Sequence, residues 1–217
     1  MMIKGIDVSH WNGEIDFNKV KKAGYEFVII KAGGSDKGFY TDSKFNKNYE
    51  KAKAAGLNVG AYYFVGKNFK GAESGKADAE RFIKILSGKQ FEYPVYVDIE
   101  TLDYRYRDVG TDAAVSFCET MEKAGFFCGI YASDISGFKE MLVRDRVIDY
   151  SIWAARYGSE PKYMSNYGMW QYSSKGRVDG IVGSVDLDYS RVDYAKTIKS
   201  KGFNGFKKPV KKKEARE

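Results

Sequence analysis

The sequence predicts an α/β fold, a single modified and partly incomplete (β/α) TIM-like barrel, and three observations predict it. An amphipathic helix ending in glycine, followed within a few residues by an apolar strand, recurs along the 217-residue chain. It reads KKAGYEFVIIKA from Lys21 to Ala32, KAAGLNVGAYYF from Lys53 to Phe64 and EKAGFFCGIYA from Glu122 to Ala132. A looser copy is LSGKQFEYPVYVDIE, Leu86 to Glu100. The strands are nearly continuous apolar runs, as parallel strands are when both faces of the sheet are covered. Finally, about seven such strands alternate with helices along the chain, which favours a barrel over an open sheet.

The elements follow in order. A first strand spans Lys4–Ser9 within GIDVSHWNG. Each recurring unit then supplies a helix end and a strand, with the glycine providing the left-handed conformation that stops the helix. A helix over Ser43–Ala55 places Phe45, Tyr49, Ala52 and Ala55 near 3.6-residue spacing. Another over Thr111–Ala124 aligns Ala114, Phe117, Met121 and Ala124, with Thr111 positioned to cap it. Further strands fit Ser151–Ala155 and Gly168–Tyr172. The last third is poorer in helix, hence the expectation of an incomplete or distorted barrel. An open doubly wound sheet is the alternative, but no G-x-G-x-x-G follows the first strand. The barrel is expected over residues 1–200, with 201–217 a basic tail or linker stub.

Composition narrows the function. Hydrophobic residues make up 43% and charged residues 30%, the balance of a globular domain. The net charge is +7, but Lys207–Glu217 alone carries five Lys and one Arg against two Glu. A nucleic-acid binder would hold its positive charge on a folded surface instead, so no nucleic-acid partner is expected. No apolar run is long enough for membrane insertion. The first strand begins too early for a signal peptide, so a leader has been removed or release follows another route. Seventeen Tyr and three Trp supply flat faces with polar tips, suited to stacking on sugar rings or to a core. Cys118 and Cys128 show no metal spacing, and two buried free thiols are expected over a bridge.

In a parallel barrel chemistry sits where strands end, and three such ends carry acids: Asp7, the pair Asp98 and Glu100 in YPVYVDIE, and Asp186 with Asp188 in GSVDLDYS. Residues i and i+2 of a strand share a face, roughly 6–7 Å apart along it. Close carboxylates raise one another's pKa, so one stays protonated near neutral pH. A protonated acid beside an ionised one is what glycoside hydrolysis requires. Asp7 could instead cap the following turn, and one of Asp186 and Asp188 is expected to be structural. Asp16, Asp42 and Asp112 read as helix-start residues. His10 is the only histidine, which excludes triads and histidine-based metal sites; it either lines the cleft or makes a structural hydrogen bond.

These residues resemble the family-25 glycoside hydrolases, the Chalaropsis-type lysozymes of bacteria, fungi and phage endolysins. GIDVSHWNG, AGLNVGAYYF, PVYVDIE, GIYAS, IWAARY, MWQYSS and VDLD carry the resemblance in order from Ile3 to about Val192. It implies a muramidase that cleaves the β-1,4 bond between N-acetylmuramic acid and N-acetylglucosamine in peptidoglycan. Glu100 would be the general acid, Asp98 its partner at the positively charged intermediate, and Asp7 and Asp186 further acids of the cleft. Tyr62, Tyr131, Trp153 and Trp170 would line the substrate, with Tyr63 and Asp188 beside them. The resemblance implies no cofactor or metal, bacterial peptidoglycan strands as partner, action at the cell wall, and a monomer. It departs at Tyr63, where many relatives have histidine, at Gly33-Gly34, where many carry Glu, and at Asp188, where Asn is usual. A metal-dependent glycosyltransferase, prompted by the D-x-D of Asp186 and Asp188, and a non-catalytic wall-binding module are the rival readings.

Overall fold

A computed structural model describes residues 2–209. Nine strands form one sheet: β1 (Ile3–Val8), β2 (Phe27–Gly34), β3 (Tyr40–Thr41), β4 (Asn58–Val65), β5 (Val95–Ile99), β6 (Cys128–Ser133), β7 (Ser151–Ala155), β8 (Met169–Gly176) and β9 (Val185–Ser190). The helices are α1 (Phe17–Lys22), α2 (Phe45–Ala54), α3 (Ala72–Leu86), α4 (Arg107–Lys123), α5 (Arg144–Val147) and α6 (Tyr194–Lys201). Strand order is β1-β9-β8-β7-β6-β5-β4-β2-β3, and β1 also pairs with β2. Eight strands therefore close a barrel, and the two-residue β3 is appended to the end of β2.

The barrel is incomplete in its helices but not in its sheet. Within the ring, neighbouring strands from β1 through β8 run parallel, while β9 is antiparallel to both β8 and β1. Only residues 177–184 separate β8 from β9. A parallel crossover needs a dozen or more residues, so the chain turns back as a hairpin and closes the ring in reverse. The loop 156–168 joins β7 to β8 without a helix.

Gly24, Gly56, Gly88 and Gly125, the glycines of the recurring unit, have φ of +88°, +74°, +75° and +86°. Each ends a helix and turns the chain into a strand, as the sequence pattern requires. Helix α4 begins four residues before the predicted cap. Thr111 lies inside it, its hydroxyl donating to the Arg107 carbonyl and accepting from the Val143 amide. Asp112 is likewise within the helix and pairs with Arg146, whereas Asp16 does cap α1.

Two cores share the sheet. Alternate strand residues such as Val59, Ala61, Val95, Val97, Ile130 and Ile152 face outward and pack under the helices. Between them Phe27, Ile29, Tyr96, Tyr131, Trp153 and Met169 fill the barrel. The lower end is sealed by α6, whose Tyr194 and Ile198 join this inner cluster together with Phe203 and Phe206. Fully buried Asn204 fastens the seal. Its amide donates to the Phe91 and Tyr93 carbonyls at 3.1 and 2.9 Å and its oxygen accepts from the Phe127 amide at 2.7 Å. The fold thus runs to Phe206, past the expected boundary at residue 200, because a floor of side chains is needed there. The rest of the expected tail, residues 210–217, lies outside the described residues.

Replacing Asn204 by Ala strands three buried backbone groups at a residue with φ of 53°. It should lower unfolding free energy by about 2–4 kcal/mol, read by denaturant titration.

Candidate active site

At the carboxyl ends of the parallel strands, inward-facing residues converge on one pocket of about 120 Å³. Asp7 comes from β1, Tyr62 from β4, Asp98 from β5, Tyr131 from β6, Trp153 from β7 and Gln171 from β8. Glu100 follows the last residue of β5, and Tyr157 stands on the loop after β7. Asp186 arrives from near the start of β9, and because that strand is antiparallel its start lies at the same mouth, paired with Asp7. The sheet register places Asp98, Tyr131 and Trp153 side by side on adjacent strands.

The pocket holds its polar groups by a connected network. Gln171, buried on β8, donates from Nε2 to Asp7 at 2.7 Å. Its Oε1 accepts from the hydroxyls of Tyr131 at 2.9 Å and Tyr157 at 3.1 Å. Trp153 donates from its indole nitrogen to Asp188 at 2.8 Å, one layer below the pocket. The four pocket acids are not ordinary carboxylates. Burial, then the neighbouring Asp188 and Asp186, push Asp7 well above the usual range, against the hydrogen bond from Gln171. Burial and then Glu100 raise Asp98, with Lys31 on β2 opposing. Glu100 is raised by burial of its carboxyl, although the residue stands at the exposed rim; Lys31, the Tyr131 hydroxyl and Asp98 hold it back. Asp186 is raised to about 6 by burial and by Glu100. One oxygen of Asp98 is buried without a partner. Acids so crowded and so buried hold their protons to higher pH than free carboxylates do, Asp98 raised by its neighbour Glu100.

Asp7, Asp98, Glu100, Asp186, Tyr62, Tyr131 and Trp153 meet at the pocket as the sequence predicts. Three predicted site residues do not. Tyr63 points outward into the helix layer, packed on Phe82 and Phe117 and donating to Asp78. Trp170 also faces outward, its indole nitrogen bonded to the Arg156 carbonyl and its ring against Tyr172 and Tyr189. Both errors have one cause: successive strand residues face opposite sides, so Tyr62 inside puts Tyr63 outside, and Gln171 inside puts Trp170 outside. Asp188 faces inward but is wholly buried on Trp153, out of reach of the pocket. The D-x-D therefore presents one carboxylate to the cleft, and no cluster of three His, Cys, Asp or Glu suited to a metal exists among the described residues. His10 is tied to buried Asp42 at 2.6 Å and does not line the pocket. Cys118 and Cys128 are buried and free, their sulfurs 3.5 Å apart.

Sequence reasoning missed Lys31, Tyr157 and Gln171. The first carried a signal, since a lysine inside the apolar run FVIIKA must find a polar place in the barrel. Gln171 follows from the alternation that turns Trp170 outward. Tyr157 stands on an irregular loop, where no periodicity reports direction.

An eight-stranded barrel with raised carboxyls gathered at the carboxyl ends of its strands defines the class, an α/β barrel built around an acidic cleft. Residues 6–181 match the family described as Glycosyl hydrolases family 25, and the chain belongs to that family. It is 34% identical to the autolytic lysozyme of Clostridium acetobutylicum over 187 residues, covering 86% of this chain and 55% of that protein. Lysozyme M1 of Streptomyces globisporus is 30% identical over 207 residues, covering 85% of this chain and 66% of its own length. The CTP1L endolysin structure superposes with a TM-score of 0.80 at 32% identity, over 92% of this chain and 70% of that one. The chain thus spans between about half and two thirds of the length of these two lysozymes.

Raised acids give the folded state more bound protons than the unfolded chain above the ordinary carboxylate range, so stability falls as pH rises. The melting temperature should decline from about pH 4 through and beyond 6, where Asp186 and Asp78 release their protons. Asp188→Asn, whose amide oxygen still accepts from Trp153, should melt higher than wild type at pH 8. The gain is about 1.4 kcal/mol for each unit by which that acid is raised. Parallel melting curves for the two proteins, with equal slopes against pH, would contradict this.

Proposed function

We propose that this chain is an endo-acting N-acetylmuramidase that cleaves the β-1,4 bond between N-acetylmuramic acid and N-acetylglucosamine in bacterial peptidoglycan. The observation that carries the reading is the convergence of Asp7, Asp98, Glu100 and Asp186 from three strands into one pocket where all four are raised.

Glu100 is placed at the rim, where a glycosidic oxygen can reach it, and passes the proton of the Asp98–Glu100 pair to that leaving oxygen. Asp98, deeper in the pocket, is left ionised and stabilises positive charge developing on the sugar ring. The same burial that makes an ionised Asp98 costly alone makes it favourable beside a cation, since attraction is strong where water is excluded. Asp186, raised only to about 6, adds negative potential on the opposite side, beside Asp7. Tyr62, Tyr131 and Tyr157 offer rings to the sugar, and the hydroxyls of Tyr131 and Tyr157, whose protons go to Gln171, remain able to accept from it. Gln171 fixes Asp7 and the two tyrosines at once. The reading gives the site no metal and places the action at the cell wall.

Glu100→Gln should keep the fold and reduce turbidity clearing of bacterial walls by about 100-fold or more. Mass spectrometry of the digest should find muramic acid at the new reducing ends; N-acetylglucosamine there, or cleaved amide bonds, would replace this reading with another. Lysis should be unchanged by chelator.

A further inference from the structure

A second cavity of about 270 Å³ opens beside the acid pocket and shares Glu100, Tyr131 and Tyr157 with it. Its far wall differs in character. Ile99, Met141 and Ala155 make an apolar floor, the hydroxyls of Ser133 and Ser136 lie against each other, and Arg156 stands at the edge. The guanidinium is held in place: Nη1 donates to Asp134 at 2.8 Å and Nε to the Ser159 hydroxyl at 3.0 Å. Asp134, wholly buried, is itself anchored by the amides of Lys162, Tyr163 and Met164. The remaining nitrogen, Nη2, has no protein acceptor among the described residues. A fixed guanidinium with a free edge is a carboxylate receptor. Beside four acids it is also conspicuous, because their field repels any anion that lacks a cation of its own.

Resting on the muramidase reading, we propose that this cavity binds the acidic substituent on O3 of the muramyl ring, its methyl-bearing carbons on the apolar floor and its carboxylate on Arg156. One hydroxyl of the Ser133–Ser136 pair donates to the same group while the other donates to its neighbour. The carboxylate is either that of the lactyl group or the first free one on a peptide built upon it. Arg156 is on this account a specificity residue, acting through binding and not through the bond-breaking step. A neutral N-acetylglucosamine polymer has nothing to fill the site.

The test uses glycan strands with peptides and strands stripped of them, each before and after carbodiimide coupling of the carboxylates to methylamine. Wild type should cleave untreated strands with a kcat/KM about tenfold above that for the coupled ones, the scale of one charge-assisted hydrogen bond. The preparation in which the preference appears identifies which carboxylate is read. In Arg156→Gln the ratio should fall to near one, through KM. Should that variant fold poorly for want of its partner to Asp134, Ser136→Asp decides, since it adds a like charge at an exposed position and should bring the ratio below one. A wild-type ratio near one in both preparations, or a preference that persists in Ser136→Asp, overturns the proposal while the muramidase reading stands. If wild type releases no muramic acid reducing ends from any strand, the muramidase reading fails and the cavity's assignment with it.

Discussion

The cost of removing carboxyl groups from water governs this molecule. Five acids, Asp7, Asp98, Glu100, Asp186 and Asp188, sit in or under one barrel mouth, and all five are raised by burial before any neighbour acts. A cluster ionised throughout would repel itself, and burial with that repulsion raises each acid's hold on its proton. That hold and the chemistry are the same property. A pocket that binds protons more tightly than free carboxylates do is a pocket suited to supplying one.

Burial is the largest cause of every one of these shifts, and it depends on keeping water out from below, which links the floor of the barrel to its mouth. Phe27, Tyr93, Tyr96, Tyr194 and Ile198 fill the interior under the acids, and α6 with Asn204 closes the end. A β/α barrel built only of crossovers leaves its last helix on the outside. Here the antiparallel β9 delivers the chain to the bottom, and α6 is free to act as a plug. The reversal of one strand therefore does two things: it carries Asp186 to the mouth beside Asp7 and sends α6 beneath the core.

Much of this was legible in the sequence, and the limits have a physical pattern. The helix–glycine–strand unit predicted the parallel strands because a left-handed turn and an apolar run are both local properties. The acids at strand ends were found because a carboxylate is too costly to bury in an apolar layer and so marks the point where a strand leaves it. The reversed β9 was not read, since a hairpin differs from a crossover only in loop length. Facing was the weaker point. Apolar strands covered on both sides show no polar alternation, so nothing in GAYYF or MWQY says which ring turns inward until one residue in each strand is anchored. Asp98 anchors β5 through its charge. In β8 the polar residue is Gln171, and treating it as the inward anchor would have excluded Trp170 directly.

The layer beneath the pocket shows how the fold converts packing into chemical control. Trp153 lines the pocket with its ring and donates downward to Asp188, and Asp188 in turn raises Asp7. Gln171 approaches Asp7 from the other side and lowers it. Asp7 is thus held between one neighbour that favours its proton and one that favours its charge. Both neighbours are buried, and both are locked by rings that also contact the cleft. Trp153, Tyr131 and Tyr157 line the pocket and also bond to the two groups that shift Asp7. On the muramidase reading, substrate position and acid strength would be linked there through this chain of hydrogen bonds.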